Sequence, residues 1–204
     1  MSRLTLHMSA NSQDLTPIFR GIVSDAIQDY DGFATLINTQ LRRIIKSMVR
    51  SAEQFQELGE DQITFHIISQ YNTLGFEASH GLMIGGHVDI SIKYEDYMWI
   101  GEAKKHSSYP TLQKGWEQLT SRYSTGMEGE DQGAFLIYNF NSDALSVTKA
   151  WKEYLALHYP ALEFNFCDTD LNFSTKNVHV RSGKPYYVTH YNIPLHHDPK
   201  DRGM

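Results

Sequence analysis

Apolar residues recur at steps of three and four along about the first quarter of the chain, which is the spacing of one helix face. The pattern predicts two amphipathic helices, over residues 15–27 and 33–55, with Asp31-Gly32 between them. A third helix is predicted over residues 60–74. The N-terminal part of the chain is therefore expected to be helical.

The second of these helices has two faces with different chemistry. The face opposite its apolar side carries Arg42, Lys46 and Arg50 four residues apart, either to contact phosphates or, as is more common, as a solvated surface. We expect its long apolar face to mediate a two-fold homodimer, and the alternative is that it covers the protein's own sheet. That face holds Leu36, Ile37, Leu41, Ile44, Ile45 and Met48.

Strand-like patterns take over after residue 75. A first strand is expected over residues 76–80, followed by a β-hairpin with strands over 87–92 and 97–103 and a polar turn between them. The rest of the chain predicts, in order, a helix over 112–123, a strand over 134–138, a helix over 144–159, a strand over 162–167 and a second hairpin with strands over 177–180 and 186–191.

The order of these elements determines the expected fold class. Strand, hairpin, helix, strand, helix, strand is the order of a mixed central β-sheet flanked by helices, so the sequence predicts an α/β fold. The chain divides into an N-terminal helical extension (1–58), a core (59–167) and a C-terminal β-hairpin and tail (168–204). Together they are expected to form one compact domain.

Composition limits the classes of function. The 204 residues include one cysteine, Cys167, which excludes an internal disulfide and a zinc ribbon and leads us to expect the cytoplasm. No apolar run approaches a membrane span, and the N-terminus lacks the pattern of a signal peptide. A net charge of −6 argues against a generic polyanion binder, so any contact with DNA must be local. The C-terminal histidines lack the spacing of a metal site and are interpreted as surface residues: His179, His190, His196 and His197.

The first hairpin brings three charged residues together. Side chains alternate between faces along a strand, so Asp89 on one strand and Glu102 and Lys104 on the other can emerge on the same side. Carboxylate oxygens suit a hard cation such as Mg²⁺, which keeps positions for water and phosphate oxygens. A lysine beside it can orient or deprotonate an attacking water, so the pattern is typical of metal-dependent hydrolysis.

These residues resemble a known signature. Asp89, a turn and Glu102-Ala103-Lys104 are similar to the bipartite motif of the PD-(D/E)XK nucleases, the restriction-endonuclease-like superfamily. Gln118 with Tyr123 on the following helix resembles the glutamine motif of its RecB-like and related branches. Two features depart from the common pattern: His87-Val88 stands where a proline is usual, and Gln118 and Tyr123 are one residue further apart.

The resemblance covers roughly residues 60–138 and implies a restriction-endonuclease-like fold that cleaves DNA phosphodiester bonds with Mg²⁺, or with Mn²⁺ in its place. It implies that Asp89 and Glu102 bind the metal, that the Ala103 carbonyl completes the site and that Lys104 positions the water. By analogy with the family, an endonuclease in restriction or antiphage defence is expected, with a larger defence complex as a further partner.

Other contributors flank the motif. The helix that precedes the first strand is expected to lend a carboxylate from Glu60 or Asp61, although acids there also suit the helix dipole. Gln118 is expected to act in catalysis, the alternative being an exposed helix residue. Substrate contacts are expected from Lys105, Arg122 and Tyr123, the last of which could instead be a core aromatic.

Two classes of function follow. The first is a divalent-metal-dependent nuclease. The second is a catalytically silent nucleic-acid-binding or structural subunit with the same fold, which the acidic net charge favours. The presence of chemically competent residues at Asp89, Glu102 and Lys104 favours the nuclease.

Overall fold

A mixed seven-stranded β-sheet flanked by helices forms the centre of the molecule. The structure is a computed structural model that describes residue 21 and residues 23–166 and 170–199. The α/β fold class predicted from the sequence is confirmed. Most of the helix predicted over residues 15–27 lies outside the described residues.

The helices that flank the sheet begin and end close to their predicted bounds. They are α1 (Tyr30–Arg50), α2 (Glu60–Thr73), α3 (Tyr109–Glu117) and α4 (Ala144–His158). A 3₁₀ turn (Ala52–Phe55) follows α1, and a π-helical segment (Gln118–Tyr123) continues α3. In the described part of the chain, no helix has both the length and the apolar character needed to cross a membrane.

The strands of the main sheet lie in the order β1-β4-β5-β6-β9-β8-β7. The pairs β5–β6 and β6–β9 are parallel, and the other neighbours are antiparallel. Two further strands, β2 and β3, form a separate antiparallel pair. The bounds are β1 (Glu77–Ser79), β2 (Leu82–Met83), β3 (His87–Val88), β4 (Ile90–Tyr94), β5 (Tyr97–Lys105), β6 (Gln132–Asn139), β7 (Glu163–Phe166), β8 (Asn172–Val178) and β9 (Pro185–Pro194).

The sheet separates two hydrophobic layers. On one face lie α1 and α2, whose residues Ile37 and Ile67 are fully buried; we call this the α1/α2 layer. On the other face lie α3 and α4, whose Trp116 and Trp151 are buried; we call this the α3/α4 layer. Every central strand is therefore covered on both sides, as a mixed sheet of this class requires.

The apolar face of α1 is part of the protein's own core. Asp29 caps the helix, with its Oδ1 accepting a hydrogen bond from the Gly32 N–H at 2.7 Å. Leu41 and Met48 are fully buried in the α1/α2 layer, and Ile44 is 7% exposed. The apolar face of α1 therefore covers the protein's own sheet, which was the alternative to a dimer interface. This face no longer supports a homodimer. The face of Arg42, Lys46 and Arg50 is exposed to solvent.

The first predicted hairpin is confirmed as β4 and β5. Its strands pair from Tyr94 opposite Tyr97 to Ile90 opposite Gly101. Glu95, in the turn, has a φ of 51°, a left-handed conformation that suits a tight hairpin. β5 continues beyond Gly101, where β4 has no further residue, so none of the described strands pairs with the end of β5 on that side.

The second predicted hairpin is also confirmed and is longer than expected. β8 and β9 pair along seven residues of each strand, and β9 also pairs with β6 along eight. As a result β9 is an inner strand of the sheet, and its residues Tyr186, Val188 and Ile193 are fully buried. The C-terminal region thus contributes to the centre of the fold.

The interpretation of the C-terminal histidines as surface residues is wrong for two of them. His179 is fully buried, and His190 is 1% exposed. His190 accepts a hydrogen bond at Nδ1 from Trp151 Nε1 at 3.2 Å and contacts Thr175 through Nε2 at 3.0 Å. Burial lowers the pKa of His190 to about 3, so it is a neutral core residue.

Candidate active site

Asp89 lies at a bend between β3 and β4. Val88 packs in the α3/α4 layer and Ile90 in the α1/α2 layer, so the regular alternation of side chains is interrupted at Asp89. One residue beyond the last pair of the hairpin, Asp89 lies opposite Glu102. Its Oδ2 accepts a hydrogen bond from the Ala103 N–H at 2.9 Å, a donor that β4 does not reach.

Lys104 is the centre of a charged cluster. Its Nζ lies 2.7 Å from Glu102 Oε1, 3.4 Å from Asp89 Oδ2 and 3.2 Å from Glu60 Oε1. The same ammonium donates to the Ala103 carbonyl at 2.9 Å. The structure thus brings together the residues that the signature indicated, on one side of the hairpin.

Glu60, the first residue of α2, is the additional carboxylate. Its Oε2 accepts a hydrogen bond from the Lys105 N–H at 2.6 Å while its Oε1 faces Lys104. Asp61 is exposed and has no described contact with the cluster. Of the two acids considered from sequence, the structure therefore places Glu60 in the cluster.

The cluster has an excess of negative charge. Among the described residues, the carboxylates of Glu60, Asp89 and Glu102 face one ammonium, that of Lys104. The Glu102 side chain is only 2% exposed, and its Oε2 has no hydrogen-bond partner among the described residues. Burial raises the pKa of Glu102 to about 8, and the charge of Asp89 adds to this effect while Lys104 opposes it.

Lys104 remains positively charged in this setting. Burial alone would lower its pKa, but the charges of Glu102, Asp89 and Glu60 outweigh burial and leave the pKa above its usual value. The lysine is therefore a fixed cation at neutral pH. Its stem passes close to α3, where a Cβ at Gly115 would lie 2.8 Å from Lys104 Cγ.

The donor set fits a hard divalent cation. Asp89, Glu102 and the Ala103 carbonyl offer only oxygen, and the excess negative charge and the unpaired Oε2 of Glu102 both call for a further positive charge. Among the described residues, no three His, Cys, Asp or Glu side chains are spaced to enclose a metal by themselves. A site with few protein ligands suits Mg²⁺, which retains several waters.

The helix that carries Gln118 and Tyr123 changes type at Gln118. The predicted helix over residues 112–123 is present, but its second half is π-helical, and Ser124 N bonds to Leu119 O, five residues earlier, at 3.1 Å. In a π-helix, residues five apart lie on one face, as residues four apart do in an α-helix. The π-helical segment therefore places Gln118 and Tyr123, which are five residues apart, on one face of the helix. In the common form of the motif the two residues are four apart, and an α-helix has the same effect.

Tyr123 lies beside the carboxylates. Its ring packs against the loop before Asp89, because a Cβ at Gly86 would lie 2.8 Å from Tyr123 Cε1. Burial raises the pKa of Tyr123, and the nearby charge of Glu102 adds to it, so the hydroxyl stays protonated. Gln118 is half-buried on the same segment, without a described hydrogen bond from its side chain.

The two predicted substrate-binding cations are placed differently. Lys105 directs its side chain toward the α1/α2 layer, where Nζ donates to Leu58 O at 3.1 Å and lies 4.5 Å from the centre of the Phe140 ring. It fixes the chain just before α2. Arg122 is exposed, and its Nε donates to Gly85 O at 2.7 Å, which leaves the outer nitrogens of the guanidinium accessible.

Sequence reasoning missed two contributors to this region. Gly115 provides the space for Lys104, and a glycine inside a helix, which costs about 0.5–1 kcal/mol relative to alanine, was an available signal. Arg181, in the β8–β9 turn, reaches the end of the π-helical segment and donates to Ser124 O at 2.5 Å. No local pattern marks Arg181, because its proximity depends on the sheet topology.

Comparison of the chain with known proteins gives no match, whether with family models, with curated proteins or with solved structures. The function is therefore inferred from the geometry of the site.

Proposed function

We propose that this protein is a divalent-metal-dependent nuclease of the PD-(D/E)XK type that hydrolyses DNA phosphodiester bonds. The observation that carries the proposal is the convergence of three carboxylates on Lys104: Asp89 and Glu102 from the region of the hairpin, as in the resembling motif, and Glu60 from the start of α2. An excess of carboxylates around one lysine is costly for a fold unless a bound cation, or a proton on Glu102, offsets the charge.

The roles of the residues follow from their protonation and position. Asp89, Glu102 and the Ala103 carbonyl would hold Mg²⁺, which when bound polarises the phosphate and acidifies a bound water. Lys104, a fixed cation, orients that water and stabilises the charge on phosphorus rather than acting as a base. The water oxygen forms a new bond to phosphorus and gives up a proton to solvent, one P–O ester bond breaks, and the leaving oxygen takes up a proton from solvent.

Gln118 and Tyr123 would line the path of the substrate beside the metal ligands. The protonated Tyr123 hydroxyl can donate a hydrogen bond to a phosphate oxygen, and Gln118 can contact the same strand from one face of the π-helical segment. We propose that DNA is the substrate and that the protein acts in the cytoplasm as an endonuclease in restriction or antiphage defence, within a larger complex.

Incubation of the purified protein with plasmid DNA, linear DNA and RNA, in Mg²⁺, Mn²⁺ or EDTA, tests the proposal. We expect Mg²⁺- and Mn²⁺-dependent cleavage of DNA that is lost in Lys104→Ala and Asp89→Asn but kept in Asp61→Asn, an exposed acid with no described contact to the cluster. Binding of DNA without cleavage under all conditions would indicate the silent subunit instead. Cleavage of RNA alone would reassign the substrate.

A further inference from the structure

A cavity of about 370 Å³ lies at the end of the π-helical segment that is remote from α3. Three parts of the chain form it: the loop before Asp89, the stretch from Arg122 to Met127 and the β8–β9 turn. The lining residues that matter here are Ile84, Arg122, Met127, Arg181 and Ser182.

The cavity adjoins the proposed active site. Arg122 lines it and is followed directly by Tyr123, whose ring faces the loop that leads to Asp89. The hydrogen bond from Arg122 Nε to Gly85 O ties this loop to the π-helical segment. A strand bound at the carboxylate cluster could therefore extend along Tyr123 and Arg122 into the cavity.

Arg181 is held at the cavity by a fixed turn. Its Nη2 and the Nε2 of His179 both contact Ser124 O, at 2.5 and 3.0 Å. The Nδ1 of His179 accepts a hydrogen bond from the Ser182 N–H at 3.2 Å, so its Nε2 carries the proton that Ser124 O receives. The turn packs closely, since a Cβ at Gly126 would lie 2.4 Å from His179 Nδ1. Arg181 is thus positioned in advance of any ligand.

The cavity has the chemistry of a nucleotide site. The charged lining residues that the structure describes, Arg122 and Arg181, are both arginines, although the chain as a whole carries a net charge of −6. Guanidinium groups with free nitrogens bind phosphate oxygens in pairs. Ile84 and Met127, the latter 63% exposed, add an apolar surface that suits a sugar or a base.

We propose that this cavity binds a phosphate of the DNA strand that is cut, namely the phosphate neighbouring the scissile one. Arg122 and Arg181 contact the oxygens of this phosphate, and Met127 contacts the adjoining sugar or base. The inference rests on the proposed nuclease function and extends it to a second, non-catalytic contact. It assigns the C-terminal hairpin a part in substrate binding.

The test is equilibrium binding of a fluorescein-labelled DNA oligonucleotide in Ca²⁺, with all variants made in a Lys104→Ala background that cannot cut. We expect Arg181→Gln to weaken binding by roughly tenfold and to reduce the slope of log K against log salt by about one, because one phosphate contact is lost. Arg181→Lys should keep the slope. The matched control is Arg43→Gln, an exposed arginine of α1 with no described hydrogen bond.

A second variant keeps the test valid if Arg181→Gln disturbs the turn. Met127→Glu places a carboxylate at the exposed mouth of the cavity without touching Ser124, and it should weaken binding more than Met127→Gln does. Binding unchanged in both Arg181→Gln and Met127→Glu, in a protein whose parent cuts DNA, would overturn this inference and leave the nuclease intact. An equal loss in Arg43→Gln would also overturn it, and a parent that neither binds nor cuts would overturn both proposals.

Discussion

At the residue scale, the carboxylates of the cluster are not equivalent. Glu60 and Asp89 each accept a hydrogen bond from a backbone N–H of β5, whereas Glu102 Oε2 is buried and has no such partner among the described residues. The first two are oriented by the backbone of the strand. Glu102 is oriented by side chains, Lys104 and Asp89, so its free energy depends strongly on protonation and on a bound cation.

The contrast between Glu60 and Asp61 gives a first prediction. Glu60→Gln removes a charge that faces Lys104, and we expect kcat for DNA cleavage to fall about 10- to 100-fold, the usual effect of losing a group that orients a metal site. Asp61→Asn removes the same charge one residue away and should stay within about twofold. Steady-state kinetics in Mg²⁺ would measure both, and equal losses would show that only the local charge matters.

A second prediction concerns the pH dependence of stability without metal. The folded protein holds the pKa of Glu102 at about 8, above its ordinary value, so between these values the folded state binds a proton that the unfolded state does not. The contribution of Glu102 to stability should therefore fall as pH rises from about 5 to about 8, and comparison with a variant that lacks this carboxyl separates it from other titrating groups such as the buried His190.

Glu102→Gln cannot titrate, so its stability relative to the parent should increase over the same pH range and then level off. Urea unfolding in EDTA at several pH values measures the difference, with Glu128→Gln, an exposed acid, as the control that shows no trend. A difference independent of pH would contradict the burial-driven shift. Added Mg²⁺ should stabilise the parent more than Glu102→Gln.

At the scale of the element, the π-helical segment determines which of its side chains share a face. It keeps Gln118 and Tyr123 on one face despite their longer spacing, and it places Arg122 against the loop before Asp89. Ser121 lies between Gln118 and Tyr123 in the sequence and is exposed. Its hydroxyl donates a hydrogen bond to the Glu117 carbonyl at 2.5 Å.

A third prediction uses this exposed serine. Deletion of Ser121 should convert the segment to an α-helix with Gln118 and Tyr123 four residues apart, again on one face, so we expect most of the activity to remain. Insertion of one alanine after Ser121 should place the two side chains on different faces and abolish cleavage. Circular dichroism would confirm that both variants are folded, and equal activities would show that the facing of Gln118 and Tyr123 is irrelevant.

The same elements show what the sequence could predict. The β4–β5 hairpin and the placement of Glu102 and Lys104 on one side follow from local alternation, and the structure has both. Asp89 also reaches Lys104, but from a bend at which the alternation is interrupted. The change of helix type at Gln118 could not be predicted, because α- and π-helices share one apolar pattern over so few residues.

Features that depend on distant parts of the chain were also beyond the sequence. The burial of His179 and the position of Arg181 result from the β8–β9 turn meeting the residues after Tyr123. Likewise, α1 was a candidate interface because nothing local indicates which surface its apolar face covers. Topology determines these contacts, and a single sequence without its fold does not specify them.

At the scale of the whole molecule, β9 connects the two halves of the sheet. It pairs with β6 on one side and β8 on the other, and its side chains contribute to both hydrophobic layers. The proposed substrate cavity also combines the C-terminal turn with residues of the predicted core. The C-terminal region is therefore part of the central sheet and of the proposed substrate cavity, whereas an appended hairpin would contribute to neither.

A fourth prediction follows from this arrangement. A chain that ends at residue 167 loses β8 and β9, which exposes the edge of β6 and leaves both layers incomplete. We expect it to lack the cooperative urea transition of the full chain, since sheet partners and buried residues such as Tyr186 and Ile193 are gone. A cooperative transition in the shortened chain would show that residues 1–167 fold without β8 and β9.

The backbone bonds of Asp89 and Glu60 have a consequence for how such a site could be lost in evolution. The carboxylates of these two acids accept hydrogen bonds from N–H groups of β5 that β4 does not reach. A descendant that no longer cuts DNA would therefore still be selected to keep both acids, because they stabilise the fold. Glu102 makes no such backbone hydrogen bond among the described residues, and its buried carboxylate has one oxygen without a partner. In a protein without the activity, this carboxylate would only lower stability. Replacement of Glu102 by an apolar residue, with Asp89 and Glu60 retained, would thus mark the relatives that have become inactive.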